Sequence, residues 1–220
     1  MIKDPSNSSK SACPTACGNI GFIFLFILLG IGLFFLFQHI SEKRKIEQVS
    51  QSHYGTWLES PQPIAAFSLE STNGGTFTEE SFKGHWSTVF FGFTRCPDMC
   101  PHAMQVFKTI IEALQQAKVT PLPQILFVTV DPTYDTLPIL QKYVTSYNSQ
   151  FIGLRGDLSQ VNILAKQMGV AYKNLGGAKI QHSGTVTIIN PQGRIQAFFP
   201  WTDDPIKMAA DYEAMLKAWH

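Results

Sequence analysis

Four cysteines fall into two pairs of equal spacing, Cys13/Cys17 and Cys96/Cys100, each with three residues between the thiols. Four thiols are too few to build a disulfide scaffold, and a chain of 220 residues buries a core without one. Local pairing points instead to redox or metal chemistry. The second pair lies in FFGFTRCPDMCP, where an apolar run ends, two cysteines follow, and a helical pattern begins. Pro101 suits the first position of a helix, where a missing N–H costs nothing. It also biases Cys100 away from helical angles. Both cysteines are therefore expected in a loop at a helix N-terminus, whose dipole favours thiolate over thiol. Two neighbouring thiolates suit a soft ion such as Cu(I) or Zn, and they can equally close into a disulfide. The common redox motif has two intervening residues, so a spacing of three counts against simple thioredoxin chemistry.

Copper on two thiolates is under-coordinated, and six histidines could complete the set. His39 and His53 lie next to a long apolar run, and His220 is the last residue. His85 falls in a turn. His102 follows Pro101 in the first helical turn and is expected to face solvent. His182, in IQHSG, follows a Gly-Gly stretch at the entrance to a strand, from which it can swing onto a metal. A lone histidine in such a place is more often structural, and spacing alone does not make it a ligand. Asp98, inside the cysteine loop, is expected to face water. Asp131 reads as a turn residue before Pro132. Asp135 either caps the helix that follows it or supports the cysteine loop.

The surrounding elements must place these groups. Residues 66–70 read as a strand, and an Asn-Gly-Gly turn leads to a partner at 76–77. STVFFGF (87–93) and QILFVTV (124–130) are continuous apolar runs, as buried central strands require. Residues 101–117 read as a helix with Phe107, Ile110, Ile111 and Leu114 on one face. Helices are also expected at 135–147, 158–168 and 204–219. Two strands, 185–189 and 194–199, should flank a turn at 190–193. Strand, helix, strand, helix, then hairpin and helix argue an α/β layer fold.

The 45% apolar content is unevenly spread. Residues 20–37 carry no charge and reach roughly 27 Å as a helix, close to the hydrocarbon thickness of a bilayer. A cleaved signal peptide should have a shorter apolar core and a small-residue cleavage site, and QHISEKRK follows instead. The chain is thus expected to comprise a polar tail (1–19), a single transmembrane anchor (20–38), a linker (39–60) and one domain (61–220). Flanking charges do not fix the orientation: Lys3 and Lys10 stand on one side, and Lys43, Arg44 and Lys45 on the other. A formal charge of +1 gives no footprint for nucleic acid.

FTRCPDMCP, then VTVDPTYDT, then QHSGTVTIINPQGRI resemble, in that order, the SCO/SenC family of membrane-anchored copper proteins. The resemblance covers roughly residues 60–218. It implies a thioredoxin-like fold with an insertion before the closing hairpin. It also implies copper ligands at Cys96, Cys100 and His182, with Asp135 as a supporting acid beside them. The implied role is delivery of copper to the Cu_A centre of cytochrome c oxidase, on subunit II, or reduction of the cysteines that receive it. For a bacterial chain the resemblance places the domain in the periplasm, anchored in the inner membrane. Where family members often carry an acid before a proline after the histidine, this chain has Asn190 before Pro191. The Cys13–Cys17 pair lies outside the family pattern.

Three functions compete on these residues. A copper chaperone binds and transfers without turnover. A thiol–disulfide oxidoreductase reduces a partner's cysteines, using Cys96 and Cys100 as a redox disulfide. A thiol peroxidase needs one low-pKa attacking thiol and no histidine ligand. His182 separates the first from the others.

Overall fold

The computed structural model describes residues 26–38, 55–174, 180–200 and 205–219. The chain divides into two compact units, Met1–Arg44 and Lys45–His220.

In the first unit, residues 26–38 form helix α1, uncharged throughout, with every side chain exposed. Phe26, Leu28, Phe35 and Phe37 are each more than 60% exposed. Among the described residues no helix is long and apolar enough to cross a membrane. The expected anchor begins at residue 20, and residues 20–25 lie outside the described ones, as do Cys13 and Cys17.

The second unit is a layered α/β domain. Among the described residues, eight strands form one sheet in the order β1-β10-β9-β4-β5-β6-β2-β3. The strands are β1 (Thr56–Pro63), β2 (Leu69–Ser71), β3 (Thr76–Phe77), β4 (Ser87–Gly92), β5 (Gln124–Thr129), β6 (Ile152–Arg155), β9 (Val186–Ile189) and β10 (Arg194–Phe199). A separate two-stranded ribbon pairs β7 (Tyr172–Asn174) with β8 (Ile180–His182). The helices are α2 (Met99–Gln116), α3 (Leu137–Thr145), α4 (Leu158–Gln167) and α5 (Pro205–Trp219).

Strands β4 and β5 are buried almost throughout, which is why their sequences carry no polar alternation. They run parallel in register, Phe90 beside Phe127, and β6 continues parallel on β5. Strand β9 runs antiparallel on the other side of β4, Phe90 facing Val186. The C-terminal ends of β4 and β5 and the N-terminal end of β9 therefore meet at one pole of the sheet. The loop after β4 carries the cysteines, the loop after β5 carries Asp131 and Asp135, and the segment before β9 carries His182. Open α/β sheets bind ligands at this end of their strands.

The strand predicted at 66–70 is shorter and shifted, at Leu69–Ser71, while the Thr76–Phe77 partner is as expected. Strand β1 begins at Thr56, inside the segment read as linker, and pairs antiparallel with β10. Its ladder is irregular between Trp57 and Gln62, and it lies at the sheet edge, where prolines are tolerated. Helix α2 begins at Met99 rather than Pro101, which takes Cys100 into the first helical turn. Pro101 is accommodated because the first N–H groups of a helix have no intrahelical acceptor. Helix α3 begins at Leu137, with Thr136 rather than Asp135 at its N-cap.

Candidate metal centre

Cys96, Cys100 and His182 form a group whose ligand atoms all lie within 4.8 Å of one another. Both cysteines are free thiols, Cys96 half-buried and Cys100 buried. Asp98 is the N-cap of α2, yet its side chain makes no cap hydrogen bond. The sulfur of Cys96 takes that place: the Cys100 N–H donates to Cys96 Sγ at 3.4 Å. An orphan amide at the positive end of a helix thus faces a sulfur, which stabilises thiolate.

The two thiols titrate as a pair of unequal members. Hydrogen bonding from the Cys100 thiol, then from the backbone N–H groups of Cys100 and Asp98, outweighs burial and brings Cys96 down to about 5. Cys100 moves far above the ordinary thiol range, because it is held as the donor to Cys96 and is buried. Of the two, Cys96 is the first to give up its proton.

Cys100 reaches its place because residue 92 has no side chain. A Cβ on Gly92 would stand 2.7 Å from Cys100 Sγ and 2.8 Å from the Phe127 ring. The sulfur packs directly on the backbone of β4.

His182 closes the group from the ribbon, where it pairs with Tyr172 at the end of β8. Its Nε2 lies 3.5 Å from Cys100 Sγ. Its Nδ1 lies 3.2 Å from the Ser183 carbonyl oxygen. A proton on Nδ1 donates there, and in the neutral ring this leaves the lone pair on Nε2, facing the thiols; this is how proteins orient a ligating imidazole. Phe90 and Phe93 set the ring plane, edge to face at 5.9 and 6.2 Å between centroids.

Asp135 is fully buried and is not one of the three grouped donors. It accepts hydrogen bonds from the Thr94 N–H at 3.0 Å, the Thr94 hydroxyl at 2.5 Å and the Thr129 hydroxyl at 2.5 Å. The carboxylate thereby ties the exit of β5 to the residue that opens the cysteine loop. It is spent on this contact and does not cap α3. Asp131 is buried too and does more than turn the chain: its backbone carbonyl accepts from Tyr134 and Asp135, and its carboxylate pairs with Arg95 at 2.6 Å. Asp98 and His102 are exposed. Asn190 makes the expected turn, its Oδ1 accepting from the N–H groups of Gln192 and Arg194.

Sequence reasoning did not find Thr94, Arg95, Thr129 and Tyr134 as partners of the site. Thr94 and Arg95 sit inside the cysteine motif, but their partners lie across the sheet pole and leave no local signal. Phe90 and Phe93 are core residues as expected, and they also hold the imidazole.

Two polarisable sulfurs and an imidazole nitrogen within mutual reach suit copper: the sulfurs alone can hold Cu(I), and the added nitrogen suits Cu(II). Fold and donors together define an α/β thioredoxin-like domain with a Cys₂His centre at the strand ends. The SCO1/SenC family model matches residues 58–217, and the chain belongs to this family. Among similar proteins, the SCO2-like protein of Rickettsia prowazekii is 30% identical over 183 residues, covering 80% of this chain and 87% of its own. The crystal structure of Arabidopsis thaliana ScoI with copper bound is similar at a TM-score of 0.65 and 25% identity, covering 71% of this chain and 99% of that one. Yeast Sco1 with copper bound gives a TM-score of 0.65 at 25% identity, over 71% of this chain and 90% of that one.

Proposed function

We propose that this chain is a membrane-anchored copper metallochaperone that carries copper on Cys96, Cys100 and His182. The observation that carries the reading is the convergence of these three donors from separate elements within 4.8 Å of one another. Copper is cargo here. A bound ion must also leave, and a half-buried Cys96 beside exposed Pro97 and Asp98 gives a recipient thiol an approach. The recipient is the Cu_A site of cytochrome c oxidase subunit II, or another copper or thiol protein; family membership supports this. No turnover is required of the protein. The uncharged, wholly exposed helix at 26–38 supports an anchor over 20–38. In a bacterium the domain then stands on the periplasmic side of the inner membrane, where thiols can cycle with disulfides.

A second reading is favoured by one arrangement: the Cys96 sulfur, half-exposed, accepts from Cys100 at the start of α2, which lowers its pKa to about 5, while Cys100 is buried behind it and its pKa is raised. The Cys96 thiolate attacks a partner disulfide to give a mixed disulfide and release one partner thiolate. Cys100 then loses its proton and displaces the second. The partner gains two electrons and two thiols, and Cys96–Cys100 becomes a disulfide.

Copper analysis of the full-length protein in detergent separates the readings. Reduced protein is expected to take up one copper per chain, and protein oxidised to the Cys96–Cys100 disulfide to bind Cu(I) poorly. Equal Cu(I) affinity in both redox states would exclude a dithiolate site.

A further inference from the structure

The residue before Cys96 is tied down on two sides. Arg95 Nη2 donates to Asp131 Oδ2 at 2.6 Å, and its guanidinium carbon lies 4.0 Å from the centroid of the Tyr134 ring. The Arg95 side chain is 32% exposed and that of Asp131 only 7%. A surface ion pair of this length would hold little. This one neutralises a carboxylate that has left water, and the stacked ring shields the guanidinium from solvent.

The neighbouring residue makes the second tie. Thr94 donates twice to Asp135, which also accepts from Thr129, while the Asp131 N–H donates to that same Thr129 hydroxyl at 3.0 Å. Consecutive residues 94 and 95 therefore bond to the two ends of the loop 131–135, and a threonine of β5 joins those ends. The arrangement is a closed clamp. Its outlet is Cys96, whose N–H donates back to the Phe93 carbonyl at 3.1 Å.

We propose that Arg95 is a positioning residue of the metal centre: through Asp131 and Tyr134 it fixes the backbone entering Cys96, so that the sulfur is in place before copper arrives. The inference rests on the copper-carrier reading above. Cys100 is held by α2 and by its seat on Gly92, and His182 by its ring contacts and the Ser183 carbonyl. Cys96 has no helix or strand of its own, and a ligand on a free loop must be ordered when the metal binds, which weakens the site. Lysine cannot replace the arginine fully, because it keeps the charge and loses the planar group that stacks.

The test uses full-length wild type, Arg95→Ala, Arg95→Lys and Tyr134→Leu in detergent. Two readouts are needed. The first is the rate at which a chelator removes Cu(II), followed by thiolate-to-copper charge-transfer absorption. The second is hydrogen exchange of the metal-free loop at residues 94–98. Arg95→Ala is expected to release Cu(II) on the order of 10-fold faster, the size seen when a residue orienting a metal ligand is lost, and to exchange faster at the loop. Arg95→Lys and Tyr134→Leu should fall between it and wild type. A role confined to fold stability would lower the melting temperature and leave the release rate of the folded protein unchanged. Wild-type release and exchange in Arg95→Ala would overturn the proposal. Should Arg95→Ala not fold, Tyr134→Leu decides, since it leaves the ion pair and core in place; an unchanged release rate there is equally fatal. Wild-type protein that takes up no copper would overturn the carrier reading itself, and this inference with it.

Discussion

Cys100 Sγ and His182 Nε2 stand 3.5 Å apart, although 82 residues separate them in the chain. The antiparallel pairing of β9 on β4 makes the meeting possible, and the Ser183 carbonyl fixes which nitrogen faces the sulfur. His182 is half-buried and is not one of the core residues. His182→Ala should therefore weaken Cu(II) binding much more than Cu(I) binding. Two thiolates suffice for a soft ion in linear coordination, whereas Cu(II) needs the added nitrogen. The fold should lose only about 1 kcal/mol, and the Cys96–Cys100 couple should still oxidise. Titration of the variant with both copper states, read by charge-transfer absorption, checks this. An unchanged Cu(II) spectrum would remove His182 from the site and favour the oxidoreductase reading.

The unequal thiols predict a pH profile. Cys96 has its pKa lowered to about 5, so its thiolate is present above that pH and is lost as the pH falls through it. Iodoacetamide should modify Cys96 first, at a rate that rises with half its change near pH 5 and then levels off at neutral pH. Cys100, buried and with its pKa raised, should stay unmodified across the same range. In Cys100→Ala the largest stabilising hydrogen bond is gone, and the midpoint should climb toward the ordinary thiol value of about 8.5. Mass spectrometry of the alkylated peptides gives both results. First reaction at Cys100 would reverse the assignment of nucleophile.

Some of this architecture was open to reading along the chain and some was not. Residues 87–93 and 124–130 announce buried strands because both faces of β4 and β5 are covered and, Gln124 at the start of β5 apart, every position is apolar or small. Strand β1, with the sequence TWLESPQP, does not: it holds the sheet by one edge, carries two prolines and is largely exposed, so neither periodicity nor composition marks it. Strand β6 has four residues, and β7 and β8 three each, too few for a period to develop. The closeness of the two cysteines was legible because both thiols sit in one motif. His182 was not legible from spacing, since long-range strand order decides its position; the family resemblance supplied it. The Arg95–Asp131 and Thr94–Asp135 contacts were invisible for the same reason.

Gly92 predicts a steric effect on one ligand. A methyl group there meets Cys100 Sγ and the Phe127 ring at distances real side chains do not adopt. Both obstacles are fully buried, so neither can swing into solvent. Gly92→Ala should cost about 1–3 kcal/mol, as overpacking of a tight core does. It should also push the Cys100 sulfur away from Cys96 and His182. The expected result is a lower melting temperature with a shifted charge-transfer band in the Cu(II) form. A variant that melts lower but keeps the wild-type spectrum would show that the sulfur regains its place by backbone adjustment.

Asp135 separates support from ligation. Its two carboxylate oxygens receive three donors, two from Thr94 and one from Thr129, and the side chain has no access to water. Asp135→Asn keeps the shape but turns one acceptor oxygen into an NH₂ group. At least one of the three donors then faces another donor unless a threonine hydroxyl rotates. Thr94 N–H cannot rotate, so the amide oxygen should serve it together with the Thr129 hydroxyl, and the Thr94 hydroxyl, left facing the NH₂ group, must turn away. A buried hydrogen bond lost in this way costs about 1–3 kcal/mol. Asp135→Ala leaves all three donors without their acceptor and should cost more. If Asp135 acts only through Thr94, Thr94→Val should reproduce part of both the stability loss and the weaker copper retention of Asp135→Asn. The Asp135→Asn and Thr94→Val double variant should then fall short of the sum of the two single effects, because both remove the same contact. Thermal melts and Cu(II) release rates of the four proteins measure this directly. Fully additive losses would show that Asp135 acts on the site by a route other than Thr94.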